Sequence, residues 1–176
     1  RYQVPVFSTA GTASALPSEL VPLISEFSAH EPFAIRDIQV APFPVPHDAR
    51  EPSQFVFSDG AERLGLLTDA GFITPVMETA LDGCDALLLE ANHDEKMLEA
   101  GDYPASLKER VGGRFGHLSN SQSAGLLNSI NTAKLQHIVA MHISEKNNAP
   151  DKVTPLFATA LGCGEDWIGV ASQEHG

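Results

Sequence analysis

Two nearly unbroken apolar runs constrain this chain more than anything else in it. They are DALLLEA (85–91) and the centre of LQHIVAMHIS (135–144). A strand with one wet face alternates apolar and polar residues, so a continuous apolar run means burial on both faces. Between the two runs lie helix-type stretches: EKMLEAG, YPASLKERV (with Asp102 as its cap and Gly112-Gly113 as its stop) and SNSQSAGLLNSI. DKVTPLFATALG and the strand-type WIGVAS follow. Strands alternating with helices predict parallel pairing with helices laid on the sheet.

The first half reads differently. VPVFST (4–9) is β-type, and GTASALPSELVPLISEFS is helix-type but broken by prolines. FAIRDIQVAPFPV (33–45) is β-rich, with prolines that favour an edge or a strand end. In SQFVFSDGAERLGLLTD two apolar runs flank Asp59-Gly60, which suits a tight hairpin turn. Thr74 is placed to cap a helix that has Pro75 at its first position. Hairpins first and β-α alternation later predict a mixed α/β layer structure, and 176 residues suit one domain.

Composition narrows the setting. With 43% hydrophobic and 19% charged residues, the expectation is an ordinary soluble protein with no membrane-length apolar run. Two cysteines, Cys84 and Cys163, suit a reducing, cytoplasmic compartment. A formal net charge of -12 argues against broad, non-specific nucleic-acid binding, although a bound metal reverses the local field. The chain opens on RYQVPVFS without Met and stops at QEHG after a strand pattern, so both ends are expected to be cuts through a longer protein.

The chemistry-bearing residues collect where apolar runs stop. His47 follows the 33–45 run, Asp69 follows LGLL, His93 and Asp94 follow DALLLEAN, and His142 closes IVAM. His117 sits ahead of a helix in FGHLSN. Strand ends hold side chains more rigidly than loop tips, as metal ligands require, and imidazole with carboxylate suits Zn²⁺, Mn²⁺ or Fe²⁺. Any one such residue, taken singly, more often serves as a turn cap or backbone partner than as a metal ligand. His30, His137 and His175 are expected to be exposed, satisfied in the core and terminal, respectively. Glu90, inside a buried run, is expected to be paired structurally rather than to act in chemistry.

The pieces PVFSTAGT, VPHDAREP, LLTDAG, LLLEANHD, KERVGGRFGHLSN, HISEKNN and VASQEHG occur in order across almost the whole chain. Together they resemble the metallo-β-lactamase superfamily, in particular its small single-domain branch called YycJ or WalJ. The resemblance implies an αββα sandwich with a dinuclear site for two divalent ions (Zn²⁺ or Mn²⁺) at one edge of the sheets. It implies His47 as a ligand of the first ion, Asp69 as the carboxylate bridging both, and His142 as a ligand of the second. The family signature HxHxDH is absent, so the chain resembles the C-terminal portion of the domain, residues 1–176, with four of seven usual ligands upstream. The activity implied is hydrolysis of DNA phosphodiesters by a 5′-to-3′ exonuclease, with the portion alone inactive.

Side-chain chemistry adds candidate roles. Asp69 and His117 are the catalytic candidates, and His117 with Ser119 and Asn120 is expected to contact a phosphate or leaving group. His93 and Asp94 are expected to orient ligating histidines. Lys108, Arg110 and Arg114 either meet phosphates or form a solvated helix end. Three readings follow: a nuclease acting on DNA, a hydrolase of small phosphodiesters or thioesters, and a metal-free interaction module. Membrane association is not expected, and a homo-oligomer is left open.

Overall fold

The computed structural model describes residues 4–17 and 24–172. Val6–Ser8 (β1) is followed by the short helix Ala10–Ala13 (α1), whose first turn is capped by the Thr9 hydroxyl accepting from the Thr12 amide. Ile24–Glu26 (β2) then pairs in parallel with β1, Val6 opposite Ile24. The helix expected over GTASALPSELVPLISEFS is therefore corrected. Among the described residues one helical turn forms there, residues 18–23 lie outside them, and the ISE segment is a strand because β1 supplies a partner ladder that overrides local propensity.

The main sheet has seven strands in sequence order. Phe33–Ile35 (β3), Ile38–Pro44 (β4), Ser53–Ser58 (β5) and Arg63–Leu67 (β6) pair antiparallel. Ala86–Glu90 (β7), His137–Met141 (β8) and Gly169–Val170 (β9) continue from β6 in parallel. The proline-rich run is thus two strands, and β3 pairs only with Ile38–Val40. Pro42 and Pro44 lie beyond that pairing, so their missing N–H groups cost no ladder bond there. The turn at Asp59-Gly60 is longer than a two-residue hairpin, since Ser58 pairs with Arg63. Asp59 Oδ1 accepts from the amides of Ala61 and Glu62, at 2.9 Å each, and holds the four-residue loop.

Helices cover the parallel half. Pro75–Leu81 (α2) has Thr74 as its cap and proline in its first turn, as expected. Glu95–Ala100 (α3) and Ala105–Val111 (α4) follow β7, but α4 is entered through Pro104 with no side-chain cap, so Asp102 is not its cap. Asn120–Ser129 (α5) packs on β7 and against Pro150–Leu161 (α6), which ends at the left-handed Gly162. A short 3-10 turn, Glu165–Trp167, limits the last strand to two residues.

Leu67, Leu89, Ala140, Val153 and Phe157 have no exposed surface and join the sheet to α6 in one core. Burying each large apolar side chain contributes roughly 1.5–3 kcal/mol, which secures the rim the site occupies. His137, expected in the core, is exposed because it opens β8 at the far end of the strand; His30 is exposed, and His175 lies outside the described residues. Among the described residues, no helix is long and apolar enough to cross a membrane.

Candidate metal centre

Strands β6, β7 and β8 end at one rim of the sheet. Leu67 pairs with Leu89 and Glu90 with Met141, so Asp69, Glu90 and His142 reach that rim from three neighbouring strands. Asp69 (φ 53°) and His142 (φ 58°) both adopt the left-handed conformation just past their strands. That backbone costs an L-residue roughly 1–2 kcal/mol, less for Asp, and packing on both sides sustains it.

Glu90 is the centre of the hydrogen bonding. It is fully buried, and its Oε1 accepts from His117 Nδ1 at 2.8 Å and from His142 Nδ1 at 2.9 Å. Its Oε2 accepts from the amides of Ala70 (3.0 Å) and Leu118 (3.3 Å). Burial pushes the carboxyl up, but the bonds from His117, His142 and the Ala70 amide outweigh it and hold it down at about 2. The same bond to Glu90 pushes His142 above the usual histidine range.

Asp69 Oδ1 stands in front of these rings, 3.6 Å from His117 Nδ1, 3.8 Å from His142 Nδ1 and 3.8 Å from His47 Nε2. His47 donates from Nδ1 to the Gly116 carbonyl at 2.9 Å, and its Nε2 faces Asp48 Oδ1 at 3.3 Å and Asp69 Oδ1 at 3.8 Å. The His117 ring centroid lies 5.2 Å from that of His47 and 5.0 Å from that of His142. One donor atom each from Asp69, Glu90, His117 and His142 fall within 4.8 Å of one another. Carboxylate oxygens and imidazole nitrogens so close together fit a divalent transition-metal cation.

Two glycines allow the close approach. A Cβ on Gly71 would run into the backbone of Arg114 and Phe115, and one on Gly116 into the carbonyls of Arg110 and Val111. The Gly71 amide donates to the Pro46 carbonyl at 2.8 Å and the Asp48 amide to the Phe115 carbonyl at 3.1 Å. The His47 loop, the Asp69 loop and the 112–117 loop are thus tied into one floor.

The histidines and Asp69 singled out in the sequence come together here; other expected residues do not. Ser119 is buried, caps α5 through its hydroxyl with Gln122 closing the capping box, and donates to Glu95 at 2.9 Å. Asn120 is buried and bonds Asn148 in both directions, at 2.9 and 2.8 Å. Both side chains are bonded within the fold, and their expected contact with substrate stays a proposal. Asp94 caps α3 by accepting from the Met97 amide at 2.9 Å, and His93 is buried with Nδ1 unpartnered. Among the described residues no hydrogen bond joins either to the site histidines. Arg110 is taken by Asp48 at 2.7 Å, and Lys108 by the Glu99 carbonyl at 2.6 Å. Sequence reasoning missed Glu90 as a site residue; the signal was one carboxylate closing a fully apolar strand, which demands strong donors.

Residues 1–143 match the family model described as the beta-lactamase superfamily domain. The chain is 32% identical, over 179 aligned residues, to exodeoxyribonuclease YycJ of Bacillus anthracis, covering 99% of this chain and 68% of that protein. The chain is a YycJ-like member of the metallo-β-lactamase superfamily. Exodeoxyribonuclease WalJ of Streptococcus pneumoniae is 33% identical over 136 residues, 74% of this chain and 51% of that protein. Among solved structures, the metallo-β-lactamase fold protein YhfI from Bacillus subtilis superposes with a TM-score of 0.69 at 12% identity, covering 96% of this chain and 62% of that one. The YycJ-like chain therefore spans between about half and two thirds of these proteins' lengths. Its fold is the α/β metallo-β-lactamase type, and the side chains clustered at the rim just described could hold a metal ion.

Proposed function

We propose that the intact protein degrades DNA as a 5′-to-3′ exonuclease, with His47, Asp69 and His142 among the residues holding two divalent ions, Zn²⁺ or Mn²⁺. Residues 1–176 are then the C-terminal portion of that single domain. When bound, such ions make water a nucleophile near neutral pH and stabilise charge on phosphate oxygens. The chain's own residues supply orientation and protons. Glu90 stays a carboxylate at any working pH and holds Nδ1–H of both His117 and His142, so each ring keeps Nε2 as its remaining donor atom. A carboxylate behind an imidazole also stabilises the cation formed when that ring takes a proton. His117, so backed, is the group that gives a proton to the leaving oxygen.

The observation that carries the reading is the sharing of Glu90 Oε1 by two imidazoles in front of which Asp69 stands. DNA as the substrate rests on the two relatives named as exodeoxyribonucleases. The cytoplasm is the proposed location, which two free cysteines suit. A second reading, hydrolysis of small phosphodiesters or thioesters, is favoured by the net charge of -12. It is also favoured by a cleft of about 620 Å³ lined by Asp69, His142, Met141, Ile143 and Val170. The test uses the intact protein with DNA labelled at either end, RNA and bis(p-nitrophenyl) phosphate, each with Zn²⁺, Mn²⁺ or chelator. Metal-dependent release of nucleotides from the 5′ end is expected. Turnover of the small diester without any DNA degradation would overturn the nuclease reading.

A further inference from the structure

Two cavities meet at Asp69, and they differ in charge. On one side, Asp69 and His142 border the cleft of about 620 Å³, whose other charged side chain is Glu145. Among the described residues no lysine or arginine lines it. On the other side, Asp69 and His47 border a smaller cavity of about 300 Å³ whose wall carries one cation, Arg50. Glu51 is the remaining carboxylate of that wall, and its Oε2 accepts from the Gly11 amide.

Arg50 is held in place but not spent. A Cβ on Gly11 would stand 2.8 Å from Arg50 Cγ, so the side-chain stem lies against α1. The same helix brings Thr12 to the cavity wall, where its hydroxyl accepts from the Thr9 hydroxyl at 3.3 Å and keeps its own proton to donate. Among the described residues, no hydrogen bond, ion pair or ring contact engages the Arg50 guanidinium. The cations of the neighbouring loops are engaged: Arg110 by Asp48, Lys108 by the Glu99 carbonyl, and Arg114 over the Phe72 ring at 5.0 Å. A guanidinium is a planar fork of donors that matches phosphate oxygens, and it stays charged at every working pH. A DNA strand with its scissile phosphate at the rim must send a neighbouring phosphate to one side of Asp69 or the other. The cleft with Glu145 repels that charge, and the cavity with Arg50 attracts it.

Building on the nuclease reading above, we propose that Arg50, with the Thr12 hydroxyl, forms a phosphate subsite on the His47 side of the centre, which takes the DNA phosphate next to the scissile one. A terminal 5′-phosphate and the adjoining internal phosphodiester offer this same chemistry. One charge-assisted contact of this kind corresponds to about a tenfold to hundredfold change in affinity.

The test uses the intact protein with Mn²⁺, the variants Arg50→Gln and Arg50→Lys, and three DNAs: one with a 5′-phosphate, one with a 5′-hydroxyl, and one with a neutral methylphosphonate at the linkage next to the scissile one. Bis(p-nitrophenyl) phosphate, which has a single phosphate, is the reference substrate. Wild type is expected to lose about tenfold or more in kcat/KM on one altered DNA. Loss on the 5′-hydroxyl end assigns the terminal phosphate to the subsite, and loss on the methylphosphonate assigns the internal one. Arg50→Gln should lower the ratio of kcat/KM on DNA to that on the reference about tenfold or more, erase the difference between the DNAs, and make the dependence of log kcat/KM on log salt shallower by about one. Arg50→Lys should recover part of the ratio. An unchanged ratio in Arg50→Gln, or an equal loss on DNA and the reference, would make Arg50 a structural loop residue and overturn the proposal. So would a wild type indifferent to both altered DNAs. Absence of any metal-dependent DNA cleavage by wild type would instead remove the nuclease reading itself, and this proposal with it.

Discussion

Replacing Glu90 by Gln tests the centre of the site with almost no change in volume. The carboxylate receives four hydrogen bonds, two on each oxygen. A glutamine keeps one accepting oxygen and turns an NH₂ toward the donors that faced the other. Holding the native carboxyl at about 2 against an ordinary value near 4.5 corresponds to about 3 kcal/mol of preference for the charged form. Glu90 is fully buried, so solvent screens little of this, and Glu90→Gln should lose about 3 kcal/mol at neutral pH.

The pH dependence carries the sharper signature. The native pKa of Glu90 is depressed, so its contribution is present above about 4.5 and is lost as pH falls toward 2. His142 is raised by the same bond, so its contribution is present below its ordinary 6.5 and fades as pH rises through its higher native value. The stability gap between wild type and variant should be widest near pH 5–6 and close as pH drops below 4.5. Urea unfolding of the intact protein in chelator, at several pH values between 7 and 3.5, reads this directly. A gap under about 0.5 kcal/mol at pH 7, or one that stays constant to pH 3.5, would refute a buried carboxylate held by two imidazoles.

Asp69→Asn should fold normally, since asparagine accepts the left-handed backbone at that position, while metal content drops and the nuclease rate falls by orders of magnitude. Elemental analysis beside thermal unfolding checks this, and two retained metals with near-normal rates would make Asp69 a turn residue. Ser119→Ala should cost about 1 kcal/mol by loss of the α5 cap and leave KM for DNA unchanged, as equilibrium unfolding and steady-state kinetics would show. Gly116→Ala should displace the loop carbonyl that holds His47, lowering stability by about 1–3 kcal/mol and activity with it; a neutral result in both would mean the loop relaxes freely.

The parallel strands and the residues at their ends were legible because burial on both faces leaves a plain signature, and a polar residue closing such a run is conspicuous. His47, Asp69 and His142 could be found that way, and His117 by its place ahead of a helix. Glu90 could not be assigned its role, since a buried carboxylate announces that it has partners but not which ones, and its partners lie 27 and 52 positions away. The fold-building bonds of Ser119 and Asn120 went unread for the opposite reason. Ser119 with Gln122 already spells a capping box, a local use that competes with any role in binding. The strand at Ile24–Glu26 was hidden because only its pairing with β1 makes it one.

The sharing of Glu90 between two histidines depends on the pairing Leu67 with Leu89 and Glu90 with Met141. Slipping β7 by one residue would reverse the face of every side chain on it and carry the carboxylate away from both rings. A molecule misaligned by that one step would keep much of its compactness and yet be chemically silent. Catalysis in this protein therefore doubles as a proofreading signal for strand alignment, and specific activity per folded molecule measures how faithfully three neighbouring strands have found one another.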